Sequence, residues 1–259
     1  MRSIAGIAGA ACACTSLGPM PATTGVSAVP VGRAGAELQA GLVPMFRLSD
    51  AASTEDRNGR VTPQLLSLIE PDRLFVPGLI AGLRGWGEDH DTIAEPFIGY
   101  RRRLDARRSG GVVVYGTLAR ANQNGASYAA KRLGAEAMFD AELVRWAGWL
   151  SLHAQAAAQL TALVAGGTYC VDPAGVAIDC SDTEPNVEVD GKLAGLYPAA
   201  TGGLSIDLLR RSTSPFHGVR LGLLGAVGRM PNLRGGRQRT GDSYASAGLT
   251  LTIGFGGRQ

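Results

Sequence analysis

The stretch ASAGLTLTIGF, residues 245–255, alternates strictly between two kinds of side chain. Its odd-numbered positions carry Ala, Leu, Ile and Phe, whereas its even-numbered positions carry Ser, Gly and Thr. Successive side chains of a β-strand point to opposite faces, so this period of two predicts a strand with one apolar face.

A second stretch, Leu150–Val164, repeats the alternation in an Ala- and Leu-rich composition that helix propensity alone would assign to a helix. Its even-numbered positions are all apolar, and its Ser, His, Gln and Thr residues all fall on odd-numbered ones. A helix would scatter those polar residues around its surface, so the pattern indicates a strand. The stretch exceeds the 5–6 residues typical of soluble strands and reaches the roughly 9–11 that a tilted strand needs to span a membrane.

The composition agrees with membrane-spanning strands. Charged residues make up 18% of the chain, below the roughly 25% usual for soluble domains, and hydrophobic residues make up 45%. Yet the chain has no run of about 18 apolar residues that could form a transmembrane helix. Dispersed apolar residues fit a barrel in which lipid-facing and lumen-facing positions alternate, and 37 glycines favour strands and turns over a helical bundle. The small net charge of +3, without a basic stripe with interleaved aromatics, makes nucleic acid an unexpected partner.

The alternating segments also predict the number of strands. An odd number of them is readable, but bacterial single-chain barrels have an even number of strands. Parity therefore places one more strand between Asp50 and Arg73, at Val61–Ile69, where the alternation is poor. We predict an all-β fold over residues 34–259: a closed antiparallel up-and-down transmembrane β-barrel of about ten strands, with about eight as the alternative.

The N-terminus is predicted to be an export segment. Residues 1–14 combine an early Arg with a short apolar run that ends at Cys12, so we predict a leader whose removal leaves Cys12 lipidated. The alternative is an ordinary N-terminus with stray cysteines. Residues 15–33 are rich in Pro, Thr, Gly and Ala and are predicted to be a flexible linker. In an exported chain, Cys170 and Cys180 are predicted to form a disulfide that closes an outer loop, with free thiols as the alternative.

Charged and amide side chains fall on the strand faces that are predicted to point into the lumen. A barrel of this size is too narrow for a wide aqueous pore, and charges in such an interior must be paired. We therefore predict a structural network of Arg–carboxylate pairs, with a narrow channel or small-ligand pocket as the alternative. The main members of this lumen network are Glu37, Arg47, Arg84, Glu95, Arg101, Arg132, Glu136, Asp140, His153, Asp207 and Arg220.

The C-terminal strand resembles the terminal β-signal of outer-membrane proteins, in which alternating apolar residues end on an aromatic. Phe255 takes that place, and the tail Gly256–Gln259 departs from the pattern. The region Ala34–Phe255 as a whole resembles small up-and-down barrels of the Gram-negative outer membrane. The sequences GPMP at 18–21 and EPDR at 70–73 are similar to those of myxobacterial outer-membrane proteins. The resemblance implies an outer-membrane location, a monomer, and contacts with outer-membrane lipid and, through the C-terminal strand, the barrel-assembly machinery.

Two groups of residues are candidates for catalysis. Ser151 and His153 lie two positions apart, about 7 Å along a strand, and are similar to the Ser and His of outer-membrane lipid A deacylases. That family, however, has the order His-x-Ser. Asp89-His90-Asp91 is similar to the Asp and His residues of omptin proteases, but here all three fall in one tight turn, whereas those enzymes gather them from several strands.

The sequence therefore predicts a non-enzymatic envelope protein, structural or surface-binding through extracellular loops, without a cofactor or metal site. The alternatives are a narrow solute pore, a lipid-modifying or proteolytic outer-membrane enzyme, and a soluble lipocalin-like carrier with its apolar faces turned inward. The enzyme would require His153 to have a hydroxyl and a carboxylate within hydrogen-bond reach at a lipid-accessible height.

Overall fold

The fold is a closed barrel of ten antiparallel strands, as predicted. The computed structural model describes residues 25–31, 34–47, 60–70, 76–88, 91–123, 126–171, 173, 177–178, 187–209, 216–232 and 239–257. The strands are β1 Ala34–Arg47, β2 Arg60–Ile69, β3 Leu79–Glu88, β4 Asp91–Arg103, β5 Arg108–Gln123, β6 Ala126–Ala147, β7 Leu150–Val171, β8 Ala177–Ile178, β9 Val187–Leu209, β10 Phe216–Asn232 and β11 Arg239–Gly257. Each barrel strand pairs with its neighbour in the chain, and β1 pairs with β11 to close the sheet, while the short β8 pairs only with β7.

The exterior of the barrel is apolar and its interior holds the charges, in the orientation that the alternation predicted. Leu118, Leu133 and Leu249 point outward and are 78%, 61% and 68% exposed, while Arg84 and Glu95 point inward and are fully buried. This arrangement is the reverse of a water-soluble protein, in which large apolar side chains are mostly inside. The inverted assignment of a lipocalin-like carrier, with apolar faces inward and charges outward, does not match it.

The strand inferred from parity alone is present as β2. Its outward face carries Leu65 and Ile69, but its inward face carries Leu66 and Leu68, which are buried. Because both faces are apolar, the period-two signal that marks the other strands is weak here.

The reason for that second apolar face is a chain segment inside the lumen. Residues 25–31, which we call the lumen segment, place Val26 and Ala28 in a buried apolar cluster with Leu66, Leu68 and other inward side chains of β3–β6. The sequence predicted a flexible linker over residues 15–33, and this part of it is instead packed against the barrel wall. Residues 1–24, including the predicted leader and Cys12, lie outside the described residues, as does Cys180.

The walls of the barrel differ in length. Strands β6, β7 and β9 have 22, 22 and 23 residues, whereas β2 and β3 have 10 each. Only about 9–11 residues are needed to cross a bilayer. The start of β1, the end of β11 and tight turns mark one end of the barrel, the terminal end, where Ala34 pairs with Gly257 and β6 turns into β7 at Gly148–Trp149. The extra length of β6, β7 and β9 therefore rises at the opposite end, the loop end.

A short turn at the terminal end joins β4 to β5. The exposed Asp105 carboxylate accepts hydrogen bonds from the backbone N–H groups of Arg107 and Arg108 at 2.7 and 2.8 Å. These bonds lower the pKa of Asp105 below its ordinary value, with the Arg107 N–H as the largest cause. An Asp side chain that accepts hydrogen bonds from backbone N–H groups two and three residues further along the chain is a common way to stabilise a tight turn.

No helix in the described part of the chain is long and apolar enough to cross a membrane.

Candidate functional site

The middle of the lumen is crossed by a buried charge network, the Arg84 cluster, made of Arg84, Glu95, Tyr115, Arg132 and Glu136. Arg84 Nε donates to Glu95 Oε1 at 2.7 Å, and Arg84 Nη1 donates to Glu136 Oε2 at 3.0 Å. Arg132 Nε lies 3.4 Å from the second oxygen of Glu95. The four charges come from strands β3, β4 and β6 and sum to zero, which is the condition for tolerating them in a dry interior.

An aromatic ring organises the same cluster. The guanidinium of Arg84 lies 4.1 Å from the centroid of the Tyr115 ring, and that of Arg132 lies 5.6 Å from it. Both distances are within the range of a cation–π interaction. The Tyr115 hydroxyl is 2.7 Å from Thr161 Oγ1 and accepts a hydrogen bond from Gln159 Nε2 at 2.5 Å. The cluster is therefore linked to β7 as well, and no pattern in the sequence indicates that Tyr115 is its centre.

The position of the Tyr115 ring depends on Gly134. A Cβ atom at Gly134 would lie 2.3 Å from Cζ of Tyr115, far inside contact distance. We expect Gly134→Ala to lower the free energy of unfolding by about 1–3 kcal/mol, the usual range for overpacking. Urea unfolding in detergent micelles, followed by tryptophan fluorescence, measures the loss. Gly202→Ala is the matched control, because its nearest contact would be an ordinary 3.7 Å to Gln155 O. Equal stabilities for the two variants would contradict the prediction.

Two more buried arginines lie closer to the terminal end. Arg101 Nε donates to Glu70 Oε2 at 2.8 Å, and its Nη2 lies 3.3 Å from Glu37 Oε1. Arg220 donates to both oxygens of Asp207, from Nε at 2.6 Å and from Nη2 at 2.8 Å. Such two-pronged pairs are among the strongest charge-assisted hydrogen bonds in proteins.

The same arginines hold the lumen segment. Arg101 Nη1 donates to Ser27 O at 3.3 Å, and Arg220 Nη1 donates to Val29 O at 3.0 Å. Glu37 Oε1 accepts the backbone N–H of Val31 at 3.0 Å.

His153 lies in a hydrogen-bonded row between a hydroxyl and a carboxylate. Its Nε2 is 3.0 Å from Ser151 Oγ, and its Nδ1 is 2.8 Å from Asp140 Oδ1. The other oxygen of Asp140 accepts a hydrogen bond from Gln155 Nε2 at 3.1 Å. This is the order of groups that activates a serine nucleophile. The spacing along the strand predicts a separation of about 7 Å between Ser151 and His153. In the structure the two side chains tilt toward each other, which brings their polar atoms within hydrogen-bond distance.

Other features of the row favour a structural role. His153 points into the lumen and is only 4% exposed, so it faces away from the lipid side of the barrel and is not lipid-accessible. Its Nε2 is also 3.9 Å from Asp207 Oδ2, so carboxylates flank the ring on both sides. Ser151 lies in β7, which pairs with β6 on one side and β9 on the other. Sheet pairing engages the neighbouring backbone N–H groups, so they do not form an oxyanion hole. Two of the three requirements for the enzyme alternative are met, and the third is not.

A cavity of about 690 Å³ opens at the terminal end of the lumen. Ser151, His153 and Asp207 line it together with the lumen-segment residues Val29 and Pro30. The row of polar groups and the lumen segment therefore border the same opening at the terminal end of the lumen.

Each main member of the predicted lumen network whose side chain is described points inward and is buried. These are Glu37, Arg84, Glu95, Arg101, Arg132, Glu136, Asp140, His153, Asp207 and Arg220. Arg47 lies in β1, but its side chain is outside the described residues. Cys170 is buried near the loop end of β7, and its predicted pairing with Cys180 stays a prediction because Cys180 is not described. Within the described part of the chain, no group of three or more His, Cys, Asp or Glu side chains could hold a metal ion.

Comparisons with known proteins place few limits on the function. No family model matches the sequence, and no curated protein matches it. Among solved structures, the chain is similar to Neisserial surface protein A, at 10% identity and a TM-score of 0.33, covering 85% of this chain and 97% of that one. It is also similar to the CymD monoaromatic hydrocarbon channel, at 7% identity and a TM-score of 0.28, covering 88% and 90%. Neither likeness carries an argument, and the myxobacterial resemblance stays a prediction.

Proposed function

We propose that this protein is a monomeric outer-membrane β-barrel of a Gram-negative bacterium, with a closed lumen and a non-enzymatic, structural or surface-binding role. The observation that carries the proposal is the inverted polarity of the barrel. Large apolar side chains such as Leu118 and Leu133 are exposed around its outside, whereas Arg84, Glu95 and Glu136 are fully buried within it. A closed sheet with an apolar exterior satisfies every backbone group in lipid, and outer-membrane barrels have this alternation.

The filled lumen supports a barrel that does not conduct. The Arg84 cluster joins side chains of β3–β7 across the interior, and the lumen segment packs Val26 and Ala28 against the wall beside it. Salt-bridged side chains and a packed chain segment together leave little room for a continuous aqueous path at this level. A narrow solute pore would require both to move.

The unequal walls support surface contacts. The length of β6, β7 and β9 beyond what a bilayer needs projects a sheet past the membrane at the loop end. With the start of β1 and the end of β11 at the terminal end, as in a periplasmic orientation, that sheet faces the outside of the cell. In the same proposal, outer-membrane lipid surrounds the barrel, and the assembly machinery acts on β11.

Cell fractionation and gel mobility test the proposal. We expect the protein in the outer-membrane fraction, with a different mobility on denaturing gels before and after boiling, because a closed barrel resists detergent unfolding. Reconstituted into planar bilayers, it is expected to show no steady conductance. A protein found in the soluble periplasm with boiling-insensitive mobility would contradict the membrane location. Steady ion conductance would contradict the closed lumen and favour the pore.

A further inference from the structure

We infer that the lumen is a binding site for a short peptide, which residues 25–31 of the chain occupy as an attached ligand. The ligand class is a peptide with small apolar side chains at alternate positions. This inference rests on the interior of the barrel and not on its cellular location.

The site recognises main-chain atoms at alternate residues of the segment. Arg101 and Arg220 donate to the carbonyl oxygens of Ser27 and Val29, and Glu37 accepts the N–H of Val31. The segment bends at Ala28 and Val29, where the Ser27 hydroxyl hydrogen-bonds to both the N–H and the C=O of Val29, so these side chains follow a turned main chain. Because the contacts with Arg101, Arg220 and Glu37 do not involve the segment's side chains, they suit other peptides of the same shape.

The site also recognises side chains. Val26 and Ala28 are 4% and 3% exposed and pack in the apolar cluster of the lumen wall. Ser27 points the other way, where its hydroxyl accepts hydrogen bonds from Gln155 Nε2 at 3.2 Å and from Arg220 Nη1. This alternation selects small apolar residues at every second position and a small polar residue between them.

The charged binding groups pair with one another without the segment. Asp207 pairs with Arg220 through both oxygens, and Glu37 and Glu70 share Arg101. Departure of the segment therefore leaves each of these groups with a partner of opposite charge, so the barrel can persist with the site empty. The cavity of about 690 Å³ at the terminal end, lined in part by Ala28, Val29 and Pro30, gives a route in and out.

Binding of a synthetic peptide to a variant with a vacated site tests the inference. The double variant Val26→Asp/Ala28→Asp places two charges in the apolar cluster and should expel the segment. The probe is the fluorophore-labelled peptide GVSAVPV, the sequence of residues 25–31, added to the folded protein in detergent micelles. We expect saturable binding by fluorescence anisotropy, and binding about ten-fold or more weaker to the native chain, whose attached segment competes at an effective concentration of order millimolar.

Two controls separate lumen binding from other effects. The double variant Pro77→Asp/Ala106→Asp adds the same charge at exposed positions that line the cavity at the terminal end, and it should bind the peptide as weakly as the native chain does. A peptide with Asp at the positions of Val26 and Ala28 should not bind at all. A vacated variant that keeps its heat-modifiable mobility but does not bind GVSAVPV, or binds both peptides equally, would overturn the inference.

A second measurement applies if the vacated variant does not fold. Ala28→Cys, in the otherwise native chain, is treated with a maleimide, and modification at that residue is followed by mass spectrometry. Ala28 is buried, so we expect slow modification of the cysteine in the native chain. The rate should rise about five-fold or more with several millimolar GVSAVPV, because that concentration matches the effective concentration of the attached segment. A rate unaffected by the peptide would show that the segment is a fixed part of the core.

Discussion

Replacing Arg84 with methionine is expected to lower the free energy of unfolding by about 3–5 kcal/mol, because removing one partner of a buried ion pair leaves an uncompensated charge. Arg84 is fully buried and neutralises Glu95 and Glu136, which are 0% and 1% exposed. Without it, the cluster holds two carboxylates against the single guanidinium of Arg132, and Tyr115 loses the cation over its ring. The loss is measured by urea unfolding in detergent micelles.

The same cluster supplies the rescue. Arg84→Met/Glu136→Gln removes one charge of each sign and leaves the pair of Arg132 with Glu95, so the double variant should regain a large part of the lost stability. Arg103→Met is the control, since Arg103 is exposed and its guanidinium donates only to backbone oxygens of Asp105 and Ala106. If Arg84→Met and Arg103→Met unfold at the same urea concentration, buried charge pairing does not stabilise this lumen.

Leu83→Arg is expected to destabilise the barrel by about 2–4 kcal/mol in phospholipid vesicles, the range for a cation at the lipid-facing midplane of a barrel. Leu83 is 47% exposed on the outside of β3, opposite Ser67 and Pro96 of its neighbours. It is the fifth of the ten residues of β3 and therefore lies near the middle of the apolar exterior. Reversible urea unfolding from vesicles measures the difference from the native chain.

The matched control carries the same substitution at the edge of the apolar exterior. Leu104, 57% exposed, lies at the turn between β4 and β5, where an arginine should cost about 0–1 kcal/mol. A difference between the two positions is the signature of a bilayer. In a water-soluble barrel both arginines would face solvent, and equal, small effects on stability would refute the membrane-spanning interpretation.

The alternation of side chains was sufficient to predict the architecture. Residues 245–255 and Leu150–Val164 lie in β11 and β7 with the predicted faces, because a barrel with an apolar outside and charges inside imposes one pattern on most of its strands. The strand β2 could be found only by counting, since Leu66 and Leu68 face an apolar part of the interior. That exception follows from the lumen segment, whose composition resembles a linker and whose packing depends on strands far along the chain.

The members of the lumen network could be predicted, but their partners could not. Facing inward is a property of one strand, whereas the contact of Arg84 with Glu136 depends on the relative register of β3, β4, β5 and β6. Tyr115 was missed because an aromatic residue on an inward face carries no charge signal. The approach of Ser151 to His153 was missed because spacing along a strand does not fix how side chains lean.

The seam between β1 and β11 governs the timing of folding. Ala36 lies opposite Phe255, so the first strand has no second neighbour until nearly the whole chain has been made. Every other pairing of adjacent barrel strands joins neighbours in sequence, whereas this one closes the longest loop in the protein. Closing a long loop is slow, because the chain loses entropy before the stabilising contacts form. Meanwhile the open sheet presents two unpaired edges, to which other chains can add. Protection from aggregation is therefore needed for as long as that seam stays open.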